Sequence, residues 1–388
     1  MRVFRLSVGL TVVFATLVVI WATPVHATNE SQAAVLALLY RPGARESALG
    51  GAGVAGAEGA TAAYYNPALI SWQKQSESPR YPLMVGTTYY KILQEFGFND
   101  MYFMYFPAMF EISDWGQFAV SVTYLSLGEQ TATDEQGTVL GTFATYTTAV
   151  GLTYSSKISE RMSAGVTAKF FYDHLAEQGA GFEKGDPTGT GFAFDAGMIY
   201  KWSNNLAFGM ALRNYGPNVQ YIDASQASPT PVNFNIGTSW KIIDGEHNDI
   251  TFIGDLYKPL VQDYEKNWIL APIVGWVDED VYKIEEVTND QGIVERIPHK
   301  NRLREESRQV DIHAGLEYSY EEYVALRSGF YRDWDGKRKW LTFGAGFRLP
   351  IASAHVMVDF GYVHALDGGQ TGSDPNNGQQ IYSVSIVF

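Results

Sequence analysis

Residues 381–388 read Ile381-Tyr382-Ser383-Val384-Ser385-Ile386-Val387-Phe388, and the sequence ends there on an aromatic side chain. Successive side chains of an extended strand point to opposite faces. Tyr382, Val384, Ile386 and Phe388 therefore share one face, and Ser383 and Ser385 the other. The same period of two recurs upstream. Val310, Ile312, Ala314, Leu316 and Tyr318 oppose Asp311, His313, Gly315 and Glu317. Leu341, Phe343, Ala345, Phe347 and Leu349 oppose Thr342, Gly344, Gly346 and Arg348. Val356, Val358, Phe360 and Tyr362 oppose Met357, Asp359 and Gly361. The stretches 164–173, 192–202, 206–213 and 232–242 follow suit.

A soluble sandwich alternates too, and the last strand alone could be the edge of a soluble sheet. Here, however, one face is continuously apolar over many strands while the other is polar and charged. That pattern is inverted relative to a soluble protein, whose apolar face is the buried one. In lipid every backbone polar group must pair internally, so the only sheet that can span is a closed barrel. A final strand ending on Phe also resembles the closing strand of bacterial outer-membrane barrels, which implies that the barrel assembly machinery reads the Phe388 strand. Fourteen strands are predicted, over roughly 81–93, 99–110, 115–127, 142–157, 161–175, 189–202, 205–215, 231–243, 249–258, 309–320, 322–332, 338–349, 353–366 and 378–388. Loop lengths test the count, since periplasmic turns are short and outer loops long. Short turns such as Ser159-Glu160, Ser203-Asn204 and Asp244-Gly245 follow the even strands. Longer loops, about 128–141, 176–188, 216–230 and 259–308, follow odd ones; the turn at Asp333-Trp334-Asp335-Gly336 is a short exception. The fold class is thus all-β: a transmembrane antiparallel barrel.

The other end of the chain places the protein in a cell. Arg2 and Arg5 precede an almost wholly apolar run from Leu6 to Ala22, and Val25-His26-Ala27 offers small residues to a signal peptidase. A leader at 1–27, cleaved after Ala27, is expected; the alternative is a permanent membrane helix, for which the run is borderline in length. The 28 basic and 42 acidic residues give a net charge of −14. The leader holds two arginines and no acids, so its removal takes the net to −16. Such a chain lacks the clustered Lys and Arg that a phosphate backbone requires, which argues against nucleic acid as a partner. There is no cysteine, so neither a disulfide framework nor thiolate chemistry is available. With 24 Tyr, 22 Phe, 9 Trp and 38 Gly, the composition suits a barrel in an outer-membrane lipid bilayer better than a helical membrane protein.

Between leader and first strand, residues 28–80 form a segment that is neither strand-like nor strongly helical. It runs Arg41-Pro42-Gly43-Ala44-Arg45, then Gly50-Gly51-Ala52-Gly53-Val54-Ala55, then Asn66-Pro67-Ala68. Small residues allow close backbone packing in a confined lumen, and Asn-Pro forces a turn. The Gly-Ala-Arg opening, the Gly-Gly-Ala-Gly-Val-Ala core and the Asn-Pro-Ala tripeptide resemble the N-terminal hatch of the FadL-type fatty-acid transporters. They resemble even more closely the PorV/PorQ barrels of type IX secretion. The resemblance implies a plugged lumen, with Gly50, Gly51 and Gly53 in the hatch and Asn66, Pro67 and Ala68 gating it beside a kinked third strand. The expected third strand, Gln117 to Leu127, holds no Pro or interior Gly; Pro107 in the second strand is the nearer candidate for a kink.

Other motifs reduce to structure. Gly51-Ala52-Gly53-Val54-Ala55-Gly56 matches a dinucleotide fingerprint as a string but follows no strand and opens no βαβ unit. Asp374-Pro375-Asn376-Asn377-Gly378 could hold calcium, though a solvated turn is the simpler reading. His313 and His355 face inward on separate strands, where a hydrogen-bond network is a simpler reading than a metal site. Inward Asp195, Arg213, Asp311, Arg327, Arg348 and Asp359 would line a path or pair across the lumen. In the outer loop 259–308, a hairpin is expected from Tyr282 to Val287 and Ile293 to Ile297. The stretch Trp268 to Trp276, including Ile273, is either an extra strand or an apolar contact surface for a ligand or a partner protein. No cofactor site and no catalytic constellation emerges. Two functions remain: a secretion-associated barrel that binds protein cargo or its machinery, or passive uptake of a hydrophobic, fatty-acid-like molecule.

Overall fold

A computed structural model describes residues 33–73, 83–112, 115–133, 136–176, 187–221, 227–261, 285–288, 294–297, 309–321, 323–334, 337–351, 354–366 and 374–388. The leader and Trp268, Ile273 and Trp276 lie outside these residues. The strands are β1 (Leu83–Lys91), β2 (Met101–Ile112), β3 (Gly116–Thr133), β4 (Val139–Ser159), β5 (Met162–His174), β6 (Thr188–Lys201), β7 (Leu206–Tyr215), β8 (Asn233–Asp244) and β9 (Asn248–Pro259). They continue with β10 (Glu285–Thr288), β11 (Val294–Ile297), β12 (Asp311–Tyr320), β13 (Val324–Asp333), β14 (Arg338–Ile351), β15 (Ala354–Ala365) and β16 (Gln380–Val387). Fourteen of them close into one antiparallel barrel, in which β9 pairs with β12 and β1 with β16. β10 and β11 form the separate hairpin expected within the 259–308 loop.

The faces divide as the alternation requires. Leu316 is 50% exposed while the next residue, Glu317, is 7% exposed. Phe343, Phe347, Leu349, Val358 and Phe360 are exposed outward, with Val166, Phe170 and Leu152 on the other side of the barrel. Near the outer end Tyr89, Tyr102, Tyr124, Tyr146 and Tyr172 form a row across β1–β5 with ring centroids about 6 Å apart. Phe110, Phe118 and Tyr154 form a second row near the short turns. An apolar band between two aromatic girdles is the exterior of a membrane barrel.

Three expectations need correction or refinement. The 128–141 loop is mostly strand: β3 runs on to Thr133 and β4 begins at Val139, paired from Glu129↔Ala144 to Thr133↔Val139. That longer third strand does contain an interior glycine. Gly128 has φ +76° and sits at a register shift, where the Asp100 carboxylate occupies the space a Cβ would fill and accepts a hydrogen bond from Glu129 N (3.0 Å). The bulge hid the strand because it offsets the period of two. Pro107, for its part, leaves β2–β3 register intact at Ser121, but the β1–β2 ladder lapses across Phe106 and Pro107 before resuming in the same register at Thr88↔Tyr105. A proline has no N–H to give to the ladder.

Candidate functional site

The lumen is where this chain concentrates its buried polar chemistry, because an apolar exterior sends every polar side chain of the wall inward. What meets those side chains is the N-terminal segment. It starts at the outer end, where Ala34 N donates to Pro229 O of the β7–β8 loop (2.8 Å) and Val35 and Leu38 pack with Phe171 and Val219. It then crosses the lumen and finishes with Trp72 at the other end, where Trp72 Nε1 donates to Ser163 Oγ (2.7 Å).

Glycines on the inner face seat the segment. In β12–β15 Gly315 and Gly329 stand opposite each other, as do Gly344 and Gly361. A Cβ at these four positions would strike Leu49, Gly50, Ala48 and Ala44 respectively. Across the barrel, Gly165 and Gly197 form another pair, blocked by Pro67 and Asn66, and Gly209 abuts Val54 O. Only glycine allows a strand and a second backbone to approach this closely.

Hydroxyls and carboxylates of the wall then satisfy backbone donors that a segment of short helices leaves open. Ala44 N donates to Ser383 Oγ (2.8 Å), Gly43 N to Thr88 Oγ1 (3.1 Å) and Gly50 N to Thr342 Oγ1 (2.9 Å). Asp255 Oδ2 accepts from both Gly53 N (2.5 Å) and Val54 N (2.9 Å). His313 Nδ1 lies 2.6 Å from Gly50 O, and Arg41 Nη1 lies within hydrogen-bond distance of both ring nitrogens (2.9 and 2.8 Å). Asn66 Oδ1 accepts from Ala68 N (3.0 Å), while Nδ2 reaches Val54 O, Met198 O and Met210 O. Asn66 thus binds the segment both to itself and to β6 and β7.

Two ionic clusters sit behind this seat. Arg45 donates from Nε and Nη2 to the two oxygens of Glu317 (2.9 and 2.7 Å) and from Nη1 to Gly56 O (2.8 Å). Arg327 shares Glu317 Oε2 (2.5 Å) and reaches Asp359 (2.6 Å). Glu58 lies 3.3 Å from Arg45 and 3.9 Å from Arg348. Beside Arg45, burial pushes the Glu46 carboxyl up to about 7, with Arg45 acting in the opposite direction. In the second cluster Lys169 Nζ donates to Asp195 (2.9 Å) and Asn214 Oδ1 (2.7 Å), and Arg213 stacks on Tyr64 at 3.8 Å. Asn214 adopts φ 57° at a register shift between β6 and β7, which turns it inward next to Arg213.

The structure thus brings Arg327 and Asp359 together with a residue of the N-terminal segment, and Arg348 to their edge. Asp195 and Arg213 share the second cluster, and His313 contacts Gly50 and Gly51. Asp311 accepts from Tyr331 Oη (2.8 Å) near the outer end. His355 lies on the inward face of β15 but is exposed at its end. Asp374 accepts from Trp340 Nε1 (2.7 Å) and Asn376 N (2.9 Å) in a turn. Sequence reasoning missed Arg45, Lys169, Asp255 and the inner-face glycines as parts of a site. The glycines carried a signal: the seven named above all fall on the polar face of predicted strands.

The chain was then compared with known proteins. The family model of the type IX secretion system protein PorV matches residues 25–265. Among curated proteins none matches. The toluene transporter TbuX of Ralstonia pickettii has 12% identity and a TM-score of 0.51, over 89% of this chain and 96% of that one. The toluene transporter TodX of Pseudomonas putida has 12% identity and a TM-score of 0.47, over 94% and 98%. A FadL homologue of Pseudomonas aeruginosa has 12% identity and a TM-score of 0.45, over 89% and 98%. At such identities the likeness is one of fold. Because the PorV model covers well over half its length, the chain belongs to the PorV family of outer-membrane β-barrels, and it shares its fold with TbuX.

Proposed function

We propose that this barrel is a non-enzymatic, secretion-associated protein that binds a cargo protein or the secretion machinery at the outer membrane, while residues 33–73 act as a hatch that keeps the lumen sealed. In this reading residues 1–27 are a cleaved leader, 28–80 the hatch and 81–388 the barrel. Gly50, Gly51, Gly53, Asn66, Pro67 and Ala68 seat the hatch, and Trp268, Ile273 and Trp276 offer the partner an apolar outer-loop surface.

The observation that carries the reading is how the lumen is filled. The cavity between Tyr64 of the segment and the β2–β5 wall has about 20 Å³, room for a water molecule and not for a hydrocarbon. Its walls include Ser121, Thr123, Thr153, Thr167 and Lys169. Leu38, Ala63, Tyr64, Tyr105 and Ala149 complete the lining, so it is the size of the cavity that bars a hydrophobic molecule while the segment is seated. The competing reading, passive uptake of a fatty-acid-like molecule, would need the hatch to move and uncover a different surface. Deleting the gene in its source organism separates the two. Secretion cargo bearing a C-terminal signal should accumulate in the periplasm, with uptake of long-chain fatty acids unchanged. Normal secretion with lost uptake would reverse the assignment.

A further inference from the structure

Trp72 closes the N-terminal segment at the end of the barrel that carries the short turns, which is the periplasmic end. Its indole bears two ammonium groups. Lys201 Nζ lies 3.9 Å and Lys157 Nζ 4.5 Å from the ring centroid. The residues that hold this corner are set by strand register. Lys157 stands opposite Ser163, the residue that binds Trp72 Nε1. Lys157 shares its face with the buried Thr153 and Ser155, and Lys201 shares its face with the buried Ile199. Both are therefore on the inward face and lean over the mouth of the lumen. Their outward neighbours Tyr154, Tyr200 and Trp202 are the ones that meet lipid.

Among the described residues no carboxylate pairs with either lysine, and in the adjoining β4–β5 turn the exposed Glu160 and Arg161 offset each other. A cation gains from an aromatic face, but two cations on one ring also repel. The arrangement is completed by an anion. In a chain of net charge −14 this corner runs against the trend. The next turn along the same rim follows the trend: Asp244, Glu246, Asp249 and Glu321, with Lys241 and His247, surround a recess of about 500 Å³.

We propose that the Trp72–Lys157–Lys201 corner is a docking site for an acidic peptide segment of a periplasmic protein partner. Charge complementarity selects the sign. The inward facing of both lysines selects a peptide entering from the periplasm over a phospholipid headgroup, which approaches from the outward face. The acidic recess one turn along sets the partner's orientation, since an acidic segment placed there would be repelled. The proposal depends only on the barrel's orientation, and it stands whether the barrel serves secretion or uptake.

The test uses full-length protein in phosphatidylcholine nanodiscs and fluorescein-labelled hexaglutamate and hexalysine peptides, read by anisotropy. Hexaglutamate should bind, and more weakly as salt is raised. Lys157→Gln with Lys201→Gln should weaken it about tenfold, the effect of losing two partly exposed charge pairs. Glu246→Gln with Glu321→Gln should weaken hexalysine without weakening hexaglutamate. Heat-modifiable migration confirms that each variant is a folded barrel. Equal hexaglutamate binding by wild type and the double lysine variant overturns the proposal. So does a result in which the lysine changes abolish a preference for phosphatidylglycerol over phosphatidylcholine vesicles while peptide binding stays intact, because the site would then belong to lipid.

Discussion

Arg45→Met tests whether the ionic cluster holds the N-terminal segment in place, as the proposed hatch role requires. The methionine keeps much of the side-chain volume but removes the two-pronged contact with Glu317 and the hydrogen bond to Gly56 O. Removing one partner of a buried ion pair costs about 3–5 kcal/mol when the other is left bare. Here Glu317 keeps Arg327, so a smaller cost of about 2–3 kcal/mol applies, or roughly 30- to 150-fold in the ratio of unseated to seated hatch. Glu317→Gln should be worse, because it leaves Arg45 and Arg327 facing each other over a neutral amide. The assay is single-channel recording in planar bilayers, with deletion of residues 43–68 defining the open conductance. Wild type should be nearly silent, Arg45→Met should show brief openings of the deletion's amplitude, and Glu317→Gln should show more. If neither substitution raises opening, or if the deletion conducts no better than wild type, the segment does not seal the barrel and the reasoning fails.

Three further expectations follow from the same geometry. Leu316→Arg places a charge on the lipid face and should cost about 2–4 kcal/mol, seen as a lower midpoint in urea unfolding, whereas Glu317→Gln one residue on should still give a heat-modifiable barrel. Deleting Phe388 should reduce the assembled form in outer-membrane fractions; undiminished assembly would free that residue from any role in recognition. The Glu46 carboxyl is held up at about 7 by burial, against an ordinary 4.5. The seated state therefore binds more protons than the unseated one, its advantage is full below pH 4.5, and it is lost as pH rises to 7. Openings should become more frequent over that window and level off above it, and Glu46→Gln should flatten the curve; a pH-independent wild type would rule Glu46 out as the titrating group.

The wall was legible because it is written locally. Leu316 beside Glu317, or Phe343 beside Gly344, states the face of a residue within two positions, and Ser159-Glu160 or Ser203-Asn204 states the turn. Where the local code has an irregularity the reading slipped: the bulge at Gly128 shifted the period and turned paired strand into a supposed loop. The site is written across long separations. Asp255 meets Gly53 and Val54 some 200 residues away in the chain, and Arg45 meets Glu317 at a separation of 272. No window of sequence contains both partners. Asp195, Arg327 and Asp359 could be placed inward, but not assigned to one cluster or another. The resemblance at Gly50–Ala55 and Asn66–Ala68 supplied the one long-range statement, that this segment belongs in the lumen.

The chemistry of the seat bears on whether such a hatch could move. An apolar plug would expose greasy wall on leaving, at about 25 cal/mol for each Å² uncovered. This wall instead offers Ser383, Thr88, Thr342, Asp255, Ser155 and Ser163 to the segment's backbone. Each of those groups can bind water in an open lumen, so exchanging segment for water costs only about 0.5–1.5 kcal/mol per hydrogen bond. The glycines set the opposite limit, because they admit the segment's backbone in one position and little else. Seating is then both apolar and polar: Tyr64, Tyr65 and Leu69 pack with Phe103, Leu125 and Ile199 of the wall, and Arg45 with the carboxylates around it adds the charged part. A partner or a change of pH that acts on those few charges would act on the whole segment.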